Sequence, residues 1–402
     1  MHISIIGIGR VGLPLSLAFA DAGAEVTGID SNQGHIDTLF LGKMPFMEEG
    51  AGILLKKHLG TRFRPKTGYD TLGSSDTIVL TLGTPVDEHM HPDYRQIDSV
   101  LPHIIHFLKQ GQLIILRSTV APGTTERVKS ILESKSGKIC GRDFYLAYCP
   151  ERIAEGKALD EIRDVPQIIG GIDEVSTKKA AQVFSMISER CHLTDSKSAE
   201  LAKLYSNMFR YVNFALANEF ALIAEEHGKN IFEIVKLVNE GYKRGGLAMP
   251  GFTAGPCLYK DGFFLVGTTP YTELISSSWR INENLPAYLI SKMKERGELR
   301  GKNALVLGLG FKKNSDDTRN SLSYAVESLL KGEGCEVAVH DPYQNDKSGD
   351  VYPMIEKAEI IVVATNHDLY KDRKLISLIK KGTLICDIWN IFGSDRIIYN
   401  KK

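Results

Sequence analysis

Cys257 is the residue whose type and setting most directly predict chemistry in this chain. It follows the loop Gly251-Phe252-Thr253-Ala254-Gly255-Pro256, where two glycines free the backbone and the proline fixes φ. The pattern after it predicts a helix over residues 258–266, so the thiol would lie at a helix N-terminus, where the dipole favours a thiolate. A thiolate attacks carbonyl carbons, and the segment therefore predicts covalent catalysis. The alternative is a cysteine that only fills space.

A second group of polar residues has a spacing that suits a common pocket. Lys203 and Asn207 are four residues apart within a long helical pattern, so their side chains share one face of that helix. Thr84 and Thr119 each follow an apolar strand pattern, and ligands of open α/β sheets bind beyond the carboxyl ends of the strands. The alternatives are a solvated Lys–Asn pair and threonines that cap turns.

The N-terminus carries a pattern that predicts a dinucleotide site. An apolar strand over residues 2–6 is followed by Gly7-Ile8-Gly9-Arg10-Val11-Gly12, a helix over residues 13–22 and a second strand that ends at Asp30. The glycines let the backbone approach a pyrophosphate at the helix N-terminus. Asp30 would accept hydrogen bonds from ribose hydroxyls and repel a 2′-phosphate, which predicts NAD rather than NADP. The alternative is the same fold with an empty site.

A related turn near the C-terminus predicts a site for a different ligand. Gly308-Leu309-Gly310 resembles the start of a dinucleotide turn, but Lys313 stands where a third glycine is expected. Lys312, Lys313 and Arg319 supply positive charge, which suits a phosphate-bearing ligand. The alternative is a solvated basic turn whose charge is offset by two neighbouring aspartates.

The elements that must position these residues alternate between strands and helices at both ends of the chain. Strands are predicted over residues 77–82, 113–118, 302–307, 335–339, 359–364 and 382–386, and one long helix over residues 198–226. We therefore expect an α/β protein with two doubly wound Rossmann-like domains joined by a long central helix region. The expected domains are residues 1–197 for NAD, 198–297 as an all-α domain with the long helix, and 298–402 for a phosphate-bearing ligand.

Composition narrows the classes of function. The 402 residues have a formal net charge of zero and no basic block, which argues against nucleic acid as a partner. No apolar stretch of about 20 residues predicts a membrane span, and Arg10 and Asp21 interrupt the apolar N-terminus, which argues against a signal peptide. The six cysteines form no CxxC pair and no zinc-type cluster, so we expect a reducing, cytoplasmic setting and no metal.

Seven motifs together resemble the UDP-glucose/GDP-mannose dehydrogenase family, over essentially the whole chain. They occur in the order seen in that family: Gly7-Ile8-Gly9-Arg10-Val11-Gly12, Gly83-Thr84-Pro85, Ser118-Thr119-Val120-Ala121-Pro122-Gly123-Thr124, Pro150-Glu151-Arg152-Ile153-Ala154-Glu155-Gly156, Glu200-Leu201-Ala202-Lys203, Gly255-Pro256-Cys257-Leu258-Tyr259-Lys260-Asp261, and Phe311-Lys312-Lys313 with Asp317-Thr318-Arg319. The resemblance implies oxidation of a nucleotide-sugar CH₂OH group to a carboxylate with two NAD.

The resemblance also implies roles for the polar residues. Cys257 would be the nucleophile that holds the sugar first as a thiohemiacetal and then as a thioester. Lys203 and Asn207 would stabilise and orient the oxyanion, a role that an ammonium group fits. Glu151 resembles the base that activates water for thioester hydrolysis, and Thr119 and Asp261 resemble residues that hold water or a proton-transfer partner.

Other positions resemble residues that contact the two ligands. Glu155 resembles a residue close to the nicotinamide and Arg319 one that reaches the cofactor pyrophosphate. Lys312 resembles a residue that reaches the nucleotide sugar, while Phe252 and Gly255 lie in the loop that packs against the sugar. Family members are usually dimers or higher oligomers built on the long helix, and Arg244 resembles an arginine that crosses that interface to the substrate.

Two departures from the family pattern bear on the substrate. The loop before the cysteine commonly reads Gly-Phe-Gly-Gly-Ser/His-Cys, whereas here it reads Gly251-Phe252-Thr253-Ala254-Gly255-Pro256-Cys257. Arg152 stands where UDP-glucose enzymes typically have Phe. The chain therefore resembles UDP-N-acetylmannosamine or UDP-N-acetylglucosamine dehydrogenases first, UDP-glucose enzymes second and GDP-mannose enzymes third. Such hexuronates usually feed surface polysaccharide.

Two other functions stay open from the sequence. One is a simple two-electron dehydrogenase of the β-hydroxyacid type, which needs no essential cysteine. The other is a non-catalytic protein that binds NAD or a nucleotide sugar, against which the set Cys257, Lys203, Asn207 and Glu151 argues.

Overall fold

The computed structural model describes all 402 residues and divides them into two compact units. The first unit comprises Met1–Ser206 and Phe263–Thr268, and the second comprises Asn207–Gly262 and Thr269–Lys402. The boundary falls inside the longest helix, α8 (Ser196–Glu226). None of the helices combines the length and the hydropathy that crossing a lipid bilayer requires.

The first unit is built on an eight-stranded sheet. Its strands are β1 (His2–Ile6), β2 (Glu25–Ile29), β3 (Phe63–Lys66), β4 (Thr77–Leu80), β5 (Gln112–Leu116), β6 (Phe144–Tyr148), β7 (Gln167–Gly171) and β8 (Cys191–Asp195). The spatial order is β3-β2-β1-β4-β5-β6-β7-β8, and β6 and β7 are the one antiparallel pair. The first six strands follow the order of dinucleotide-binding sheets, with the switch point between β1 and β4.

Seven helices cover the two faces of this sheet. They are α1 (Gly12–Asp21), α2 (Gln33–Phe40), α3 (Ala51–His58), α4 (Arg95–Phe107), α5 (Thr124–Ser136), α6 (Ala158–Asp164) and α7 (Glu174–Phe184). Strands covered on both sides favour apolar residues, and β4 and β5 are buried throughout, with Thr77 and Gln112 as their only polar residues. The continuous apolar runs in the sequence therefore predicted these strands to within one or two residues.

The long helix α8 confirms the prediction for residues 198–226. The second unit continues from its C-terminal part with α9 (Ile231–Asn239), α10 (Leu258–Asp261) and α11 (Glu273–Arg296). The side chain of Asn230 caps α9 by accepting hydrogen bonds from two backbone amides of its first turn. Two buried asparagines, Asn218 on α8 and Asn282 on α11, join their helices through a 2.9 Å hydrogen bond.

The second unit also contains the predicted C-terminal sheet. Its strands are β9 (Asn303–Leu307), β10 (Glu336–His340), β11 (Ile360–Val363), β12 (Leu384–Cys386) and β13 (Ile398–Asn400), and its helices are α12 (Ser323–Gly332), α13 (Val351–Lys357) and α14 (Arg373–Ser377). The spatial order is β10-β9-β11-β12-β13, and β13 is antiparallel to β12. The fold is therefore α/β with two mainly parallel sheets, and the switch point of the second sheet lies between β9 and β11.

Candidate active site

The N-terminal glycines form a cradle with no space for side chains at two of three positions. Gly7 has φ +93°, and a Cβ there would lie 2.8 Å from the carbonyl oxygen of Thr81. A Cβ on Gly12 would lie only 2.1 Å from the carbonyl oxygen of Gly7. Gly9, by contrast, faces open space, with nothing within 4 Å of its Cβ position. The tight packing holds β1, α1 and β4 together, and the open position leaves room for a ligand beside the turn.

A cavity of about 500 Å³ opens at this turn, at the switch point of the first sheet. Gly7, Gly9 and Asp30, which the sequence analysis assigns to the cofactor, line this cavity. Tyr69 and Gln96 also line the cavity. The sequence analysis did not predict them, because they belong to segments that carry no recognisable motif. The full lining is Ile6, Gly7, Gly9, Ile29, Asp30, Ser31, Tyr69, Thr81, Leu82, Gly83, Gln96, Ser99 and Val100. An open glycine turn with an acid at the end of β2 fits NAD.

The other predicted cofactor residues surround this turn. The guanidinium of Arg10 lies 5.0 Å from the ring centroid of Phe46, a cation–π contact. Val11 precedes the first residue of α1 as its N-cap. Thr84 follows β4 and Thr119 follows β5, and both are partly buried. These two threonines therefore stand beyond the carboxyl ends of adjacent strands, as expected.

Glu151 is held by a fully buried arginine that the motifs did not identify. Arg117 donates to Oε2 of Glu151 from Nε at 3.1 Å and from Nη2 at 2.5 Å, while Oε1 accepts from the amides of Arg152 and Ile153. The Arg117 side chain is 0% exposed and also donates to Gln167 at 2.9 Å. All four donors saturate the Glu151 carboxylate. An arginine that ends an apolar strand was the available signal in the sequence.

The segment after Glu151 is fixed by two further contacts within the first unit. The guanidinium of Arg152 donates to the carbonyl oxygen of Pro166, and burial, followed by the nearby Arg117 charge, lowers the pKa of Arg152. Glu48 accepts hydrogen bonds from the amides of Gly156 at 2.8 Å and Ala158 at 2.6 Å. These contacts hold both ends of the loop that carries Glu155.

Cys257 is exposed and takes part in no disulfide, but its helix is shorter than predicted. The helix α10 spans only Leu258–Asp261, with Cys257 as its N-cap, and a 3₁₀ turn follows over Gly262–Phe264. The prediction of a helix over residues 258–266 was therefore wrong in length. A single turn has a small dipole, so the helix-dipole argument for a thiolate at Cys257 loses most of its force.

Asp261 lies one turn after Cys257 and is completely buried. Its Oδ2 accepts from the side-chain amide of Asn207 at 2.6 Å, and its Oδ1 pairs with the ammonium of Lys260 at 2.8 Å. The amide of Asp261 donates to the carbonyl oxygen of Cys257 at 3.0 Å. The fold therefore joins three predicted residues of the second unit: Cys257, Asp261 and Asn207. Lys203, which is buried, lies one turn before Asn207 on α8.

The loop before Cys257 is packed against aromatic rings of the same unit. A Cβ on Gly251 would lie 2.2 Å from the Trp389 ring, and a Cβ on Gly255, where φ is +105°, would lie 2.6 Å from the Phe311 ring. Phe252, which lies between these two glycines in the sequence, is also buried. The amide of Gly251 donates to Oδ1 of Asn218 at 2.9 Å. The Thr-Ala-Gly-Pro version of this loop is therefore held in one conformation up to the nucleophile.

The predicted phosphate-binding residues follow β9. Lys312 is partly exposed, and Arg319 pairs with Asp317 through Nε at 2.9 Å and Nη2 at 2.5 Å. Asp341, which is buried, accepts from the amides of Leu309 and Gly310. Burial would raise the pKa of Asp341, but the hydrogen bonds from His367 and from Leu309 outweigh it and lower that pKa.

Arg244 lies on a separate apolar surface of the second unit. It borders a groove of about 770 Å³ between α8, α9 and residues 245–247, and its guanidinium lies 5.1 Å from the ring centroid of Tyr242. The groove is lined by Asn213, Leu216, Phe220, Ile223, Ala224, His227, Lys229, Ile231, Ile234, Val238, Arg244, Gly245, Gly246 and Leu247.

Comparison with known proteins matches the chain along nearly its whole length. Models of the UDP-glucose/GDP-mannose dehydrogenase family match as the NAD binding domain over residues 1–188, the central domain over residues 197–284 and the UDP binding domain over residues 305–394. The chain is 33% identical to the UDP-N-acetyl-D-mannosamine dehydrogenase of Pyrococcus horikoshii, over 92% of this chain and 90% of that protein.

Solved structures give the same result. The UDP-D-ManNAc dehydrogenase structure from Pyrococcus horikoshii superimposes with a TM-score of 0.89 at 32% identity, covering 94% of this chain and 92% of that one. A UDP-glucose dehydrogenase from Pyrobaculum islandicum superimposes with a TM-score of 0.88 at 27% identity, covering 100% and 95%. The fold is thus shared by proteins named for different sugars, and the side chains must decide the substrate.

Proposed function

Since this chain belongs to the UDP-glucose/GDP-mannose dehydrogenase family and is an NAD-dependent nucleotide-sugar dehydrogenase, we propose that it oxidises C6 of a UDP-N-acetylhexosamine to the carboxylate. UDP-N-acetylmannosamine is the first candidate, because the relative with 33% identity is named for it and because Arg152 replaces the phenylalanine of UDP-glucose enzymes. UDP-N-acetylglucosamine, UDP-glucose and GDP-mannose follow in that order. The observation that carries the proposal is an exposed Cys257 one turn from the buried Asp261–Asn207 pair.

The proposed reaction removes four electrons and leaves the enzyme unchanged. When bound, NAD⁺ accepts a hydride in each of the two oxidations. The C6 alcohol loses a hydride and a proton to give the aldehyde, and Sγ of Cys257 adds to the carbonyl carbon to form a thiohemiacetal. The second oxidation gives a thioester, and water then displaces the sulfur to release the carboxylate. Covalent trapping keeps the aldehyde from escaping between the oxidations.

The remaining polar residues would stabilise the oxyanion on C6 and activate the water that hydrolyses the thioester. Lys203 would stabilise the oxyanion, and Asn207, fixed by Asp261, would orient it. Glu151 is our candidate for the base that activates water, and a water would have to replace one of its four present donors for it to act. Glu155, on the same loop, is the second candidate. Thr119 would hold the water.

The two ligands would bind at the two switch points. Gly7, Gly9, Arg10, Val11, Gly12, Asp30 and Thr84 would hold NAD, with Glu155 near the nicotinamide and Arg319 at the pyrophosphate. Lys312 would bind the diphosphate of the sugar nucleotide, and Arg152, Phe252 and Gly255 would contact or shape the sugar. We place the enzyme in the cytoplasm, where its thiol stays reduced, and its uronate product in the supply of surface polysaccharide.

We also propose a homodimer, or a higher oligomer, built on α8 and α9. Phe209, Leu216, Phe220 and Ile223 of α8 are 40–73% exposed, and Leu237 of α9 is 71% exposed. Monomers rarely leave such a continuous apolar surface in water. Arg244 borders this surface and would reach the substrate of the partner. Phe220→Glu should convert the oligomer to a monomer in sedimentation velocity, whereas an unchanged sedimentation coefficient would refute this interface.

The proposed function is tested by the number of NADH formed per sugar consumed. Two NADH with one of the four candidate sugars would support the four-electron reaction and name the substrate. One NADH per sugar would favour the two-electron dehydrogenase, and binding without turnover would favour the non-catalytic protein. Cys257→Ser should abolish the reaction, whereas Cys140→Ser should not, because burial raises the pKa of Cys140 to about 12 and keeps that thiol inert.

The two candidate bases can be separated in a single turnover. A variant that lacks the base should still form two NADH per active site and then stop, because the thioester is not hydrolysed. Glu151→Gln and Glu155→Gln each remove one carboxylate from the same loop, so the variant that stops after this burst identifies the base. If neither stops, water is activated by another group.

A further inference from the structure

The loop that carries Lys312 lies at the switch point of the second sheet. This loop, residues 308–320, follows β9 and is called the turn loop below. Residues 364–368 follow the neighbouring strand β11, so the two connections begin side by side. Ligands of open α/β sheets bind outside the carboxyl ends of the strands at this point. The conformation of the turn loop therefore decides which of its polar groups can contact a nucleotide bound at the second sheet.

The beginning of the turn loop is fixed by an internal carboxylate. Oδ2 of Asp341 accepts from the amides of Leu309 at 2.6 Å and Gly310 at 3.0 Å, and the hydroxyl of Thr365 donates to the carbonyl oxygen of Gly310. In the first sheet the corresponding glycine turn stays open to a ligand. Here the turn amides are already used, so an anionic ligand must be recognised farther along the loop, where Lys312 and Lys313 stand.

The tip of the turn loop contacts the last two residues of the β11 connection, His367 and Asp368. The amide of Asn314 donates to Nδ1 of His367 at 2.9 Å. Nδ2 of Asn314 donates to Oδ2 of Asp368 at 2.7 Å, and Oδ1 of Asn314 accepts from the backbone amide of Asp368 at 3.1 Å. The ammonium of Lys313 pairs with Asp368 at 2.8 Å. Asn314 has φ +52°, a left-handed conformation that its surroundings must maintain.

His367 connects the fixed beginning of the loop to its tip. Its side chain is 0% exposed, and its Nε2 lies 3.1 Å from Oδ2 of Asp341. Because Nδ1 accepts a hydrogen bond from an amide, the proton must be on Nε2, which donates to Asp341. Oδ2 of Asp341 keeps two backbone donors even without the imidazole, whereas the only hydrogen bond of the Asn314 backbone amide is the one to His367.

We propose that His367 is a positioning residue that sets the tip of the turn loop, and with it Lys312, for the diphosphate of the nucleotide. This inference rests on the proposed function, in which the second sheet binds the nucleotide sugar. A fixed tip lets the lysine meet the phosphates without the entropy cost of ordering the loop on binding.

Two substitutions of His367 separate its two contacts. His367→Asn places an amide oxygen where Nδ1 lies and keeps the acceptor for Asn314, whereas His367→Gln places an amide nitrogen near Nε2 and keeps only the donor to Asp341. The measurements are hydrogen exchange of the turn loop in the free protein and isothermal titration with UDP and with NAD. We expect His367→Gln to speed exchange at the tip and to raise the Kd for UDP by roughly 3–10-fold, the effect of one neutral hydrogen bond.

The matched variants should behave differently. His367→Asn should stay within about twofold of the wild type in both measurements. Arg319, at the end of the same loop, is held by its own pair with Asp317 and not by His367, so neither variant should change the Kd for NAD. A general loss of packing would affect both variants alike. Unchanged exchange in His367→Gln, or faster exchange with an unchanged Kd for UDP, would overturn the inference. A wild-type protein that binds no UDP would overturn the proposed function, and exchange would then still decide whether His367 holds the loop.

A substitution at the exposed tip covers the case in which a His367 variant does not fold. Asn314→Gly keeps the amide that donates to His367 and tolerates a positive φ, but it removes the hydrogen bonds to Asp368. We expect exchange and the Kd for UDP to stay close to the wild type. A loss as large as that expected for His367→Gln would mean that Asp368, and not His367, holds the tip.

Discussion

Replacing Arg117 by methionine would remove a guanidinium that is wholly buried in the first unit. Oε2 of Glu151 would lose both of its donors, at 3.1 and 2.5 Å, and the carbonyl oxygens of Cys149 and Pro150 would lose theirs at 3.0 and 3.2 Å. Breaking a buried ion pair from one side costs about 3–5 kcal/mol. For a unit of this size each kcal/mol lowers Tm by about 2–4 °C, so we expect a decrease of about 6–20 °C.

Differential scanning calorimetry is the suitable assay, because it measures Tm and the unfolding enthalpy directly. Arg117→Met combined with Glu151→Met should recover most of the loss, since an apolar pair leaves no uncompensated charge. Arg142→Met is the matched control: Arg142 pairs with Asp143 at 2.8 Å but is 65% exposed, so its loss should not shift the transition measurably. A single variant within 2 °C of the wild type (about 1 kcal/mol or less), or a double variant no better than the single one, would refute the reasoning.

Three further predictions test other parts of the chain. Asp30→Ala should raise the Kd for NAD by roughly 10–150-fold, because it removes charge-assisted hydrogen bonds to the ribose. The same change should lower the Kd for NADP, because it removes the charge that repels the 2′-phosphate. Isothermal titration that shows equal losses of affinity for both cofactors would contradict this. Gly255→Ala should lower kcat at least tenfold, because φ is +105° there and the new Cβ would lie 2.6 Å from the Phe311 ring. Gly382→Ala is the control and should not lower kcat, because φ is +88° there but the Cβ position is open. Equal effects of the two substitutions on kcat would mean that the ring contact is unimportant. Burial raises the pKa of Asp387 from its usual value near 3.8 to about 6, so the folded chain loses stability as pH rises from about 4 to 6, and the full loss is present above pH 6. Asp387→Asn should therefore raise Tm at pH 7.5, by the equivalent of at most about 3 kcal/mol, and change it much less near pH 4. Equal shifts of Tm at both pH values in calorimetry would exclude this.

The helix predicted after Cys257 is too long, and the reason is a contact that the local sequence pattern does not show. The apolar run after Cys257 resembles a helix, but α10 ends at Asp261. A Cβ on Gly262 would lie 2.7 Å from Ile275 and 2.9 Å from Met208, so side chains from other helices meet the backbone there. The change to a 3₁₀ turn accompanies these contacts, and propensity along the chain contains no information about them.

The dinucleotide cradle could be predicted from the sequence because its geometry is local. Gly7, Gly9 and Gly12 act through backbone conformation and close packing within one βαβ unit, and Asp30 follows on the next strand, so order and spacing were sufficient. The same holds for α8, whose apolar spacing over 31 residues admits one interpretation.

The partners of the chemical groups were decided only by the tertiary structure. Arg117 and Glu151 are 34 residues apart, Asn207 and Asp261 are 54 apart, and Asn314 and His367 are 53 apart, yet each pair lies within 3.1 Å. Spacing along a chain predicts contacts only within one helix or one turn. Which buried donor satisfies which acceptor depends on how sheets and helices from distant segments pack, because every polar group taken out of water must find its partner in the folded chain.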